Sequence, residues 1–378
     1  MHKADFLIIG AGMAGASAGA ALARHGSVIV LEREEHPGYH TTGRSAAFYA
    51  PSYGNEFVRP LTLASGDFLQ DPPAGFVDGP LLRHRGALYV ARQDQLAQLK
   101  QFHAHLLETG AQADWLEADA VLQQAPMMQP GYVAGGIYEE NCHDIDVAAL
   151  HQAYLRQLGR DALSCSAGVT NIERVGADWQ VETTAGAYQA PMLINAAGAW
   201  ADDIAAMACA APVGLQPLRR TVVMLPGPAD YDDNWPLVLD VEDEFYFKPD
   251  AGRMLLSPGD ETPSAPCDAQ PEELDVALAI DRLGTASSIP APRVESKWAG
   301  LRTFAPDRTP VVGMNPVRDG FFWLAGQGGY GIQTAPAIAQ LVADLLTGGK
   351  VSQELADWGV REEYYAPSRF ELLDRNRA

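Results

Sequence analysis

The sequence predicts an α/β protein: a discontinuous nucleotide-binding domain on a parallel sheet, interrupted by an α+β unit built on an antiparallel sheet. Three observations carry this. A strand, a glycine turn, a helix and a second strand ending in an acid open the chain. A second strand–glycine–helix unit lies near its far end. Between them fall segments that alternate in polarity or are rich in β-formers. At 378 residues the chain exceeds what one core normally holds, so two domains are expected. The nucleotide domain is expected to comprise 1–76, 144–214 and 300–378, and the inserted substrate domain 77–143 and 215–299.

The opening unit is the most informative. Phe6-Leu7-Ile8-Ile9 runs into Gly10-Ala11-Gly12-Met13-Ala14-Gly15, then a helix of small residues, then Val28-Ile29-Val30-Leu31-Glu32. In this Rossmann-like order Gly10 permits the tight turn, Gly12 lets the backbone approach a pyrophosphate, and Gly15 lets the helix pack on the strand. The helix start offers free N–H groups and a positive dipole end. Glu32 stands where a carboxylate accepts hydrogen bonds from an adenosine ribose. The same stretch resembles a secretory leader ending at Ala21-Leu22-Ala23. Cleavage there would destroy the fingerprint and Asp5 suits no leader, so a cytoplasmic nucleotide domain is expected.

The remaining elements follow in order. Thr42-Gly43-Arg44-Ser45-Ala46-Ala47 reads as a loop entering a short helix, suited to grip the middle of an extended cofactor. Gly86–Val90 reads as a strand. Asp144-Ile145-Asp146 supplies an N-cap for a helix from Val147 to Leu158. Met192-Leu193-Ile194-Asn195 reads as a buried parallel strand, followed by small residues Ala196–Ala199, then Trp200 and a helix. Thr221–Leu225 and Glu244–Phe247 have strand character. Phe321–Ala325 is an apolar strand running into Gly326-Gln327-Gly328-Gly329-Tyr330-Gly331 and a helix from Thr334 to Leu346. Four glycines in that short stretch give more backbone freedom than one turn needs, which points to close approach of a ligand. Two distant glycine units suit a flavin dinucleotide, whose reduced N1–C2=O edge would face the helix start after Gly331.

Composition excludes other classes. A formal charge of −21 argues against nucleic acid and against wide contact with anionic lipid. No apolar run reaches the roughly 18 residues of a membrane span; peripheral contact with an inner-membrane electron carrier stays open. Cys142, Cys165, Cys209 and Cys267 lack paired spacing and read as reduced structural thiols. No metal site is expected, and His143 reads as a loop residue.

With these residues on the page, the chain resembles the D-amino acid oxidase (DAO-type) family of FAD flavoproteins. Within it, the chain is similar to the bacterial FAD-dependent D-arginine dehydrogenases. The segments that carry the resemblance include Glu32-Arg33-Glu34, Pro37-Gly38-Tyr39-His40, Gly43–Ala47, Leu150-His151-Gln152 and Asn195–Trp200. Tyr246–Gly252, Trp298–Arg302 and Gln327–Thr334 carry it further. The resemblance implies oxidation of a D-amino acid to an imino acid, hydrolysed to a 2-oxo acid and ammonia. It also implies non-covalent FAD, since Arg302-Thr303-Phe304-Ala305 contains no cysteine. Cofactor contacts implied are Gly10, Gly12, Ala14, Gly15, Glu32, Arg33, Thr42, Gly43, Arg44, Ser45, Ala46, Val169, Ala197, Gly198, Trp200, Arg302, Gly328, Gly329, Gly331, Ile332, Gln333 and Thr334.

A substrate carboxylate in a water-poor cavity is best met by arginine, whose rigid fork donates two parallel bonds. Arg219 and Arg220 face opposite ways on a strand, and the resemblance selects Arg220 together with Arg302. Tyr246 matches a tyrosine that assists the carboxylate, and Tyr53 one on a lid; Gln333 and the Gly329 carbonyl match positions beside substrate and flavin. Three departures concern the pocket wall. Ala87 replaces an acid that pairs with a basic substrate tail, Phe48 replaces a histidine, and Ala50 replaces a threonine. The expected substrate is therefore a neutral D-amino acid with an aliphatic or aromatic side chain. Another amine or 2-hydroxy acid (glycine, an N-methyl amino acid, 2-hydroxyglutarate) stays open, as does a non-catalytic electron-transfer subunit. Whether oxygen or a quinone-linked chain accepts the electrons is also open.

Overall fold

The computed structural model describes residues 1–370, so residues 371–378 of the expected nucleotide domain lie outside it. Its centre is a six-stranded sheet in the order Leu163–Ser164, Val28–Leu31, Phe6–Ile9, Met192–Asn195, Phe321–Ala325, Val311–Met314. All neighbours are parallel except the last pair. These strands are near-continuous apolar runs because both faces are covered. On one face lie the helices Met13–Leu22, Val147–Leu158 and Ala335–Ala343, packed on Ile8, Val30, Ile194 and Leu324. On the other, Leu7, Leu193 and Trp323 pack against Trp179 and Val181 of a four-stranded sheet and against the helix Ala201–Met207. Ile9 is in register with both Leu31 and Asn195, so three strands end level at their carboxyl edge. Ligands of open α/β sheets bind outside that edge.

The second large sheet has nine strands, in the order Thr262–Pro263, Gln216–Pro226, Arg253–Ser257, Tyr246–Asp250, Leu237–Asp240, Ala87–Ala91, Gly135–Glu139, Asp114–Glu117, with Ser296–Phe304 paired to Gln216–Pro226. It was expected to be antiparallel, yet Leu237–Asp240 and Ala87–Ala91 run parallel. These two strands come from separate stretches of chain, so no hairpin dictates their relative direction. Ser296–Phe304 crosses the boundary expected at residue 300 and carries Arg302 from this sheet toward the six-stranded one.

Several local expectations hold and others need correction. The helix Val147–Leu158 begins as read, with Asp146 Oδ1 accepting the Ala149 N–H at 2.8 Å. The short helix expected within Thr42–Ala47 is absent. Turns run through Arg44, and an extended stretch then enters the strand Phe48–Tyr49. That strand pairs with His143–Ile145, so His143 is a strand residue rather than a loop residue. The helix expected from Thr334 to Leu346 runs over Ala335–Ala343 with Thr334 as its N-cap residue, and continues into a π-helical turn over Asp344–Gly348. Among the described residues no helix is long and apolar enough to cross a membrane.

Candidate active site

A continuous cavity of about 690 Å³ is lined by the turns at the carboxyl edge of the six-stranded sheet and by strands of the nine-stranded sheet. That volume falls within the range of small-molecule and cofactor sites.

At the first glycine turn, Gly10 has φ +103°, and a Cβ there would lie 2.4 Å from the Ala196 carbonyl oxygen. A Cβ on Gly15 would lie 1.8 Å from the Gly10 oxygen, so Gly15 sets the close helix–strand contact and does not itself line the cavity. Glu32, nearly fully buried, accepts the Ala11 N–H through Oε2 and the Glu34 N–H through Oε1, both at 3.0 Å. Thr42 Oγ1 accepts the Met13 N–H at 2.9 Å. Among the described residues the N–H groups of Gly12, Ala14 and Gly15 have no acceptor. Such a row of unpaired donors at a helix start fits a diphosphate.

Arg33, Ser45, Ala46, Val169, Ala197, Gly198 and Trp200 also line the cavity. The Arg33 guanidinium lies 4.7 Å from the centre of the Trp200 ring system. Arg44 reaches the cavity wall, but its guanidinium serves the protein: it donates to Ala269 O at 2.8 Å and Ala299 O at 3.0 Å, and pairs with Asp268. Gly43 lies outside the lining; a Cβ there would meet the Gly38 oxygen at 2.7 Å.

In the second glycine unit Gly328 has φ +52°, and a Cβ on it would collide with the Phe304 ring at 2.1 Å. Gly328, Gly329, Gly331 and Ile332 line the cavity. Among the described residues the N–H groups of Gly329, Gly331, Ile332 and Gln333 have no acceptor. The donor edge is thus this turn rather than the first turn of the following helix, where Ser65 Oγ already accepts the Ala337 N–H at 3.1 Å. Thr334 is the N-cap residue, but its hydroxyl returns to Tyr330 O at 2.9 Å and does not reach the cavity. Gln333, expected beside substrate and flavin, is not among the residues lining the cavity. Its side chain is buried between the Ala50 N–H, accepted at 3.2 Å, and Thr62 Oγ1, to which it donates at 2.9 Å.

The substrate residues converge. Arg220, Arg302, Tyr53 and Tyr246 all line the same cavity. Arg219 points the other way and pairs with Asp275 at 2.9 Å and with Glu272. Arg220 donates through Nε to Asp260 O at 2.7 Å and faces Tyr246, 5.8 Å from its ring centre. Arg302 Nη1 stands 3.5 Å from the Tyr53 hydroxyl, and Tyr53 packs on Tyr330 at 5.2 Å between ring centres. Burial alone would raise the Tyr246 hydroxyl pKa, but the Arg302 and Arg220 charges outweigh it and hold it below the ordinary tyrosine value. Burial opposes the Arg302 charge, yet Tyr53, Tyr246, Glu261 and Asp243 keep its pKa above the usual arginine value. The result is a hydrogen-bond-donating face of two guanidiniums and two hydroxyls, flanked by Asp243 and by Glu261, which pairs with Arg220 at 3.4 Å; its fork donors suit a carboxylate.

Beside it, Phe48, Ala50, Ala87, Tyr89, Val222, Leu237 and Leu239 form an apolar wall. Tyr89, Lys248 and Asp243 are among the lining residues that escaped the sequence reading. Tyr89 and Lys248 lie two positions beyond Ala87 and Tyr246 on the same strand faces, a period that could have found them. Lys248 is buried and paired with Asp144, which also takes Arg85 Nε at 2.5 Å. Asp243 sits in a loop at φ +58°, where no periodic signal exists. Burial raises its carboxyl pKa, against the pull of Arg220 and Arg302. The described residues hold no cluster suited to a metal ion, and the four cysteines are free.

Comparison with known proteins extends this geometry. Residues 5–345 match the family described as DAO, FAD dependent oxidoreductase. Glycine oxidase of Bacillus licheniformis is 25% identical, over 93% of this chain and 95% of that protein. Human mitochondrial dimethylglycine dehydrogenase is 24% identical over 94% of this chain and 44% of its own length. The solved structure of dithionite-reduced L-α-glycerophosphate oxidase from Mycoplasma pneumoniae with FAD bound superposes with a TM-score of 0.83 at 18% identity, covering 92% of this chain and 95% of that one. The likeness is to the family at large and does not single out the D-arginine dehydrogenases. With two unpaired donor rows bordering one cavity and a family match over most of its length, the chain belongs to the DAO family of FAD-dependent oxidoreductases, and its cofactor is FAD.

Proposed function

We propose that this enzyme oxidatively deaminates neutral D-amino acids with aliphatic or aromatic side chains. One observation carries the reading: Arg220, Arg302, Tyr53 and Tyr246 line one face of the cavity next to an apolar wall in which Ala87 leaves no acid for a basic tail. Arg302 and Arg220 bind and orient the substrate carboxylate, with the tyrosine hydroxyls completing its hydrogen bonds. Phe48, Ala50, Ala87 and Leu239 take the side chain. Tyr53 covers the carboxylate end and excludes water while the bond to hydrogen breaks. Bound FAD supplies the acceptor for the Cα hydride and its electron pair. The amine enters unprotonated, and water hydrolyses the imino acid to a 2-oxo acid and ammonia. We assign 1–76, 144–214 and 300–378 to the FAD-binding domain and 77–143 and 215–299 to the substrate domain, with Phe48, Ala50, Tyr53 and Arg302 of the former reaching into the substrate end of the cavity.

The glycine and dimethylglycine names of two relatives favour a second reading, oxidation of glycine or an N-methylated glycine at the same carboxylate clamp. One experiment separates the two. The yellow holoenzyme is mixed anaerobically with D-leucine, D-phenylalanine, D-proline, D-arginine, glycine and N-methylglycine, bleaching is followed, ammonia and formaldehyde are assayed, and air is then admitted. Fastest bleaching with D-leucine or D-phenylalanine, with ammonia released, is the expected result. Highest kcat/KM for D-arginine would reject the apolar pocket. Formaldehyde from N-methylglycine as best substrate would establish the second reading. Reoxidation in air would mark an oxidase.

A further inference from the structure

We propose that Glu139 is a positioning residue that anchors the Ser52–Tyr53 turn across the substrate end of the cavity. The inference rests on the assignment of Tyr53 to that end, made above. Glu139 closes the strand Gly135–Glu139 and is the register partner of Ala87. Directly opposed residues of an antiparallel pair share a face, and Tyr89, two positions from Ala87, shares it as well. Glu139 is only 3% exposed. Among the described residues it forms no salt bridge, although Arg59 is near enough to favour its charge. A buried acid without an ion-pair partner is costly unless hydrogen bonds hold it. Here Ser52 Oγ donates to Glu139 Oε1 at 2.6 Å, and the Tyr89 hydroxyl lies beside both. Burial raises the Glu139 pKa despite these contacts.

The geometry gives this bond a task. The turn Ala50–Gly54 is held at its start by Gln333, which accepts the Ala50 N–H, and bends at its end through Gly54 at φ +104°. Between these points lies Tyr53, whose hydroxyl meets Arg302. Ser52 is the link in the middle. Without the Glu139 acceptor, Tyr53 keeps its N–H bond to Ala50 O at 3.1 Å, its packing on Tyr330 and its contact with Arg302, but the turn loses its tie to the strand Gly135–Glu139. The carboxylate at 139 thus acts through Ser52 on the donor set that receives the substrate, and touches neither substrate nor flavin.

The test uses FAD-loaded, full-length wild type, S52A, E139L and E139Q. Hydrogen–deuterium exchange is followed over residues 48–57, and anaerobic flavin reduction by D-leucine is resolved into an apparent Kd and a limiting rate. S52A and E139L should speed exchange in that segment about tenfold and raise the apparent Kd about tenfold, with the limiting rate within about twofold. E139Q keeps a carbonyl acceptor for Ser52 and should stay within about threefold of wild type on both readouts. Unchanged exchange in both S52A and E139L, with normal FAD content, would overturn the proposal. So would loss of FAD in E139L while S52A behaves as wild type, which would make Glu139 purely structural. If no D-amino acid bleaches the wild type, the substrate reading fails separately, and the exchange measurement alone decides the role of Glu139.

Discussion

Glu32 Oε2 accepts the backbone N–H of Ala11 at 3.0 Å, joining the end of one parallel strand to the glycine turn 21 positions earlier. The carboxylate therefore braces the turn while still lining the cavity, where its remaining lone pairs would be open to a ribose hydroxyl of bound FAD. Removing it loses an internal charged hydrogen bond and a cofactor contact together. E32A should weaken FAD binding by about 1.5–3 kcal/mol, roughly ten- to a hundredfold in Kd. E32Q, which keeps one acceptor oxygen, should lose less. Fluorescence titration of apoprotein with FAD measures both.

Arg302 is the second test. Because it enters the cavity from a strand and its charge is favoured by Tyr53, Tyr246, Glu261 and Asp243, it is poised to pair with an incoming carboxylate. Truncation of one partner of a desolvated pair costs about 2–5 kcal/mol, so R302A should lower kcat/KM by at least about thirtyfold. R302K keeps the charge without the fork and should fall between R302A and wild type. Steady-state kinetics with D-leucine reads this, and an unchanged flavin spectrum in R302A would show that the loss lies in substrate binding.

Tyr246 predicts a pH dependence. Opposed by burial but dominated by Arg302 and Arg220, its hydroxyl ionises below the ordinary tyrosine value. A phenolate would repel the substrate carboxylate and lose its donated hydrogen bond. A bound carboxylate therefore raises the Tyr246 pKa relative to the free enzyme. By linkage, that part of the affinity is complete below the free-enzyme pKa and is lost as pH rises through it. The inhibition constant of isobutyrate, a carboxylate without an amine, should climb at alkaline pH below 10 in wild type. In Y246F the constant should be higher at neutral pH, and the climb should vanish.

What the sequence made legible were features whose cause is local. The Gly10–Gly15 turn, the Asp146 cap and the apolar strands Met192–Asn195 and Phe321–Ala325 follow from steric freedom, side-chain capping and burial on two faces. Strand alternation separated Arg220 from Arg219 for the same reason. Long-range pairing was not legible. Phe48–Tyr49 is a strand only because His143–Ile145 offers it a ladder, and Gln333 turns from the cavity only because Ala50 and Thr62 complete its amide. Asp243 joined the site through a loop whose shape depends on Gly259, where a Cβ would meet the Asp243 carbonyl oxygen at 1.8 Å.

Position 87 gives the last prediction. Ala87 is buried and lies across the strand pair from Glu139. Restoring an acid by A87E puts two carboxyl groups on one face, with Cβ atoms about 5 Å apart. They cannot both ionise cheaply, so one holds its proton and offers little to a guanidinium. A87E alone should therefore gain little activity toward D-arginine and should lose D-leucine activity through crowding of the apolar wall. A87E with E139Q removes the competing charge and leaves Ser52 an acceptor. Its D-arginine to D-leucine ratio of kcat/KM should rise at least about tenfold over A87E alone, corresponding to about 1.4 kcal/mol of coupling. Equal ratios in the single and double variants would mean that carboxyl groups at 87 and 139 do not couple across the strand pair.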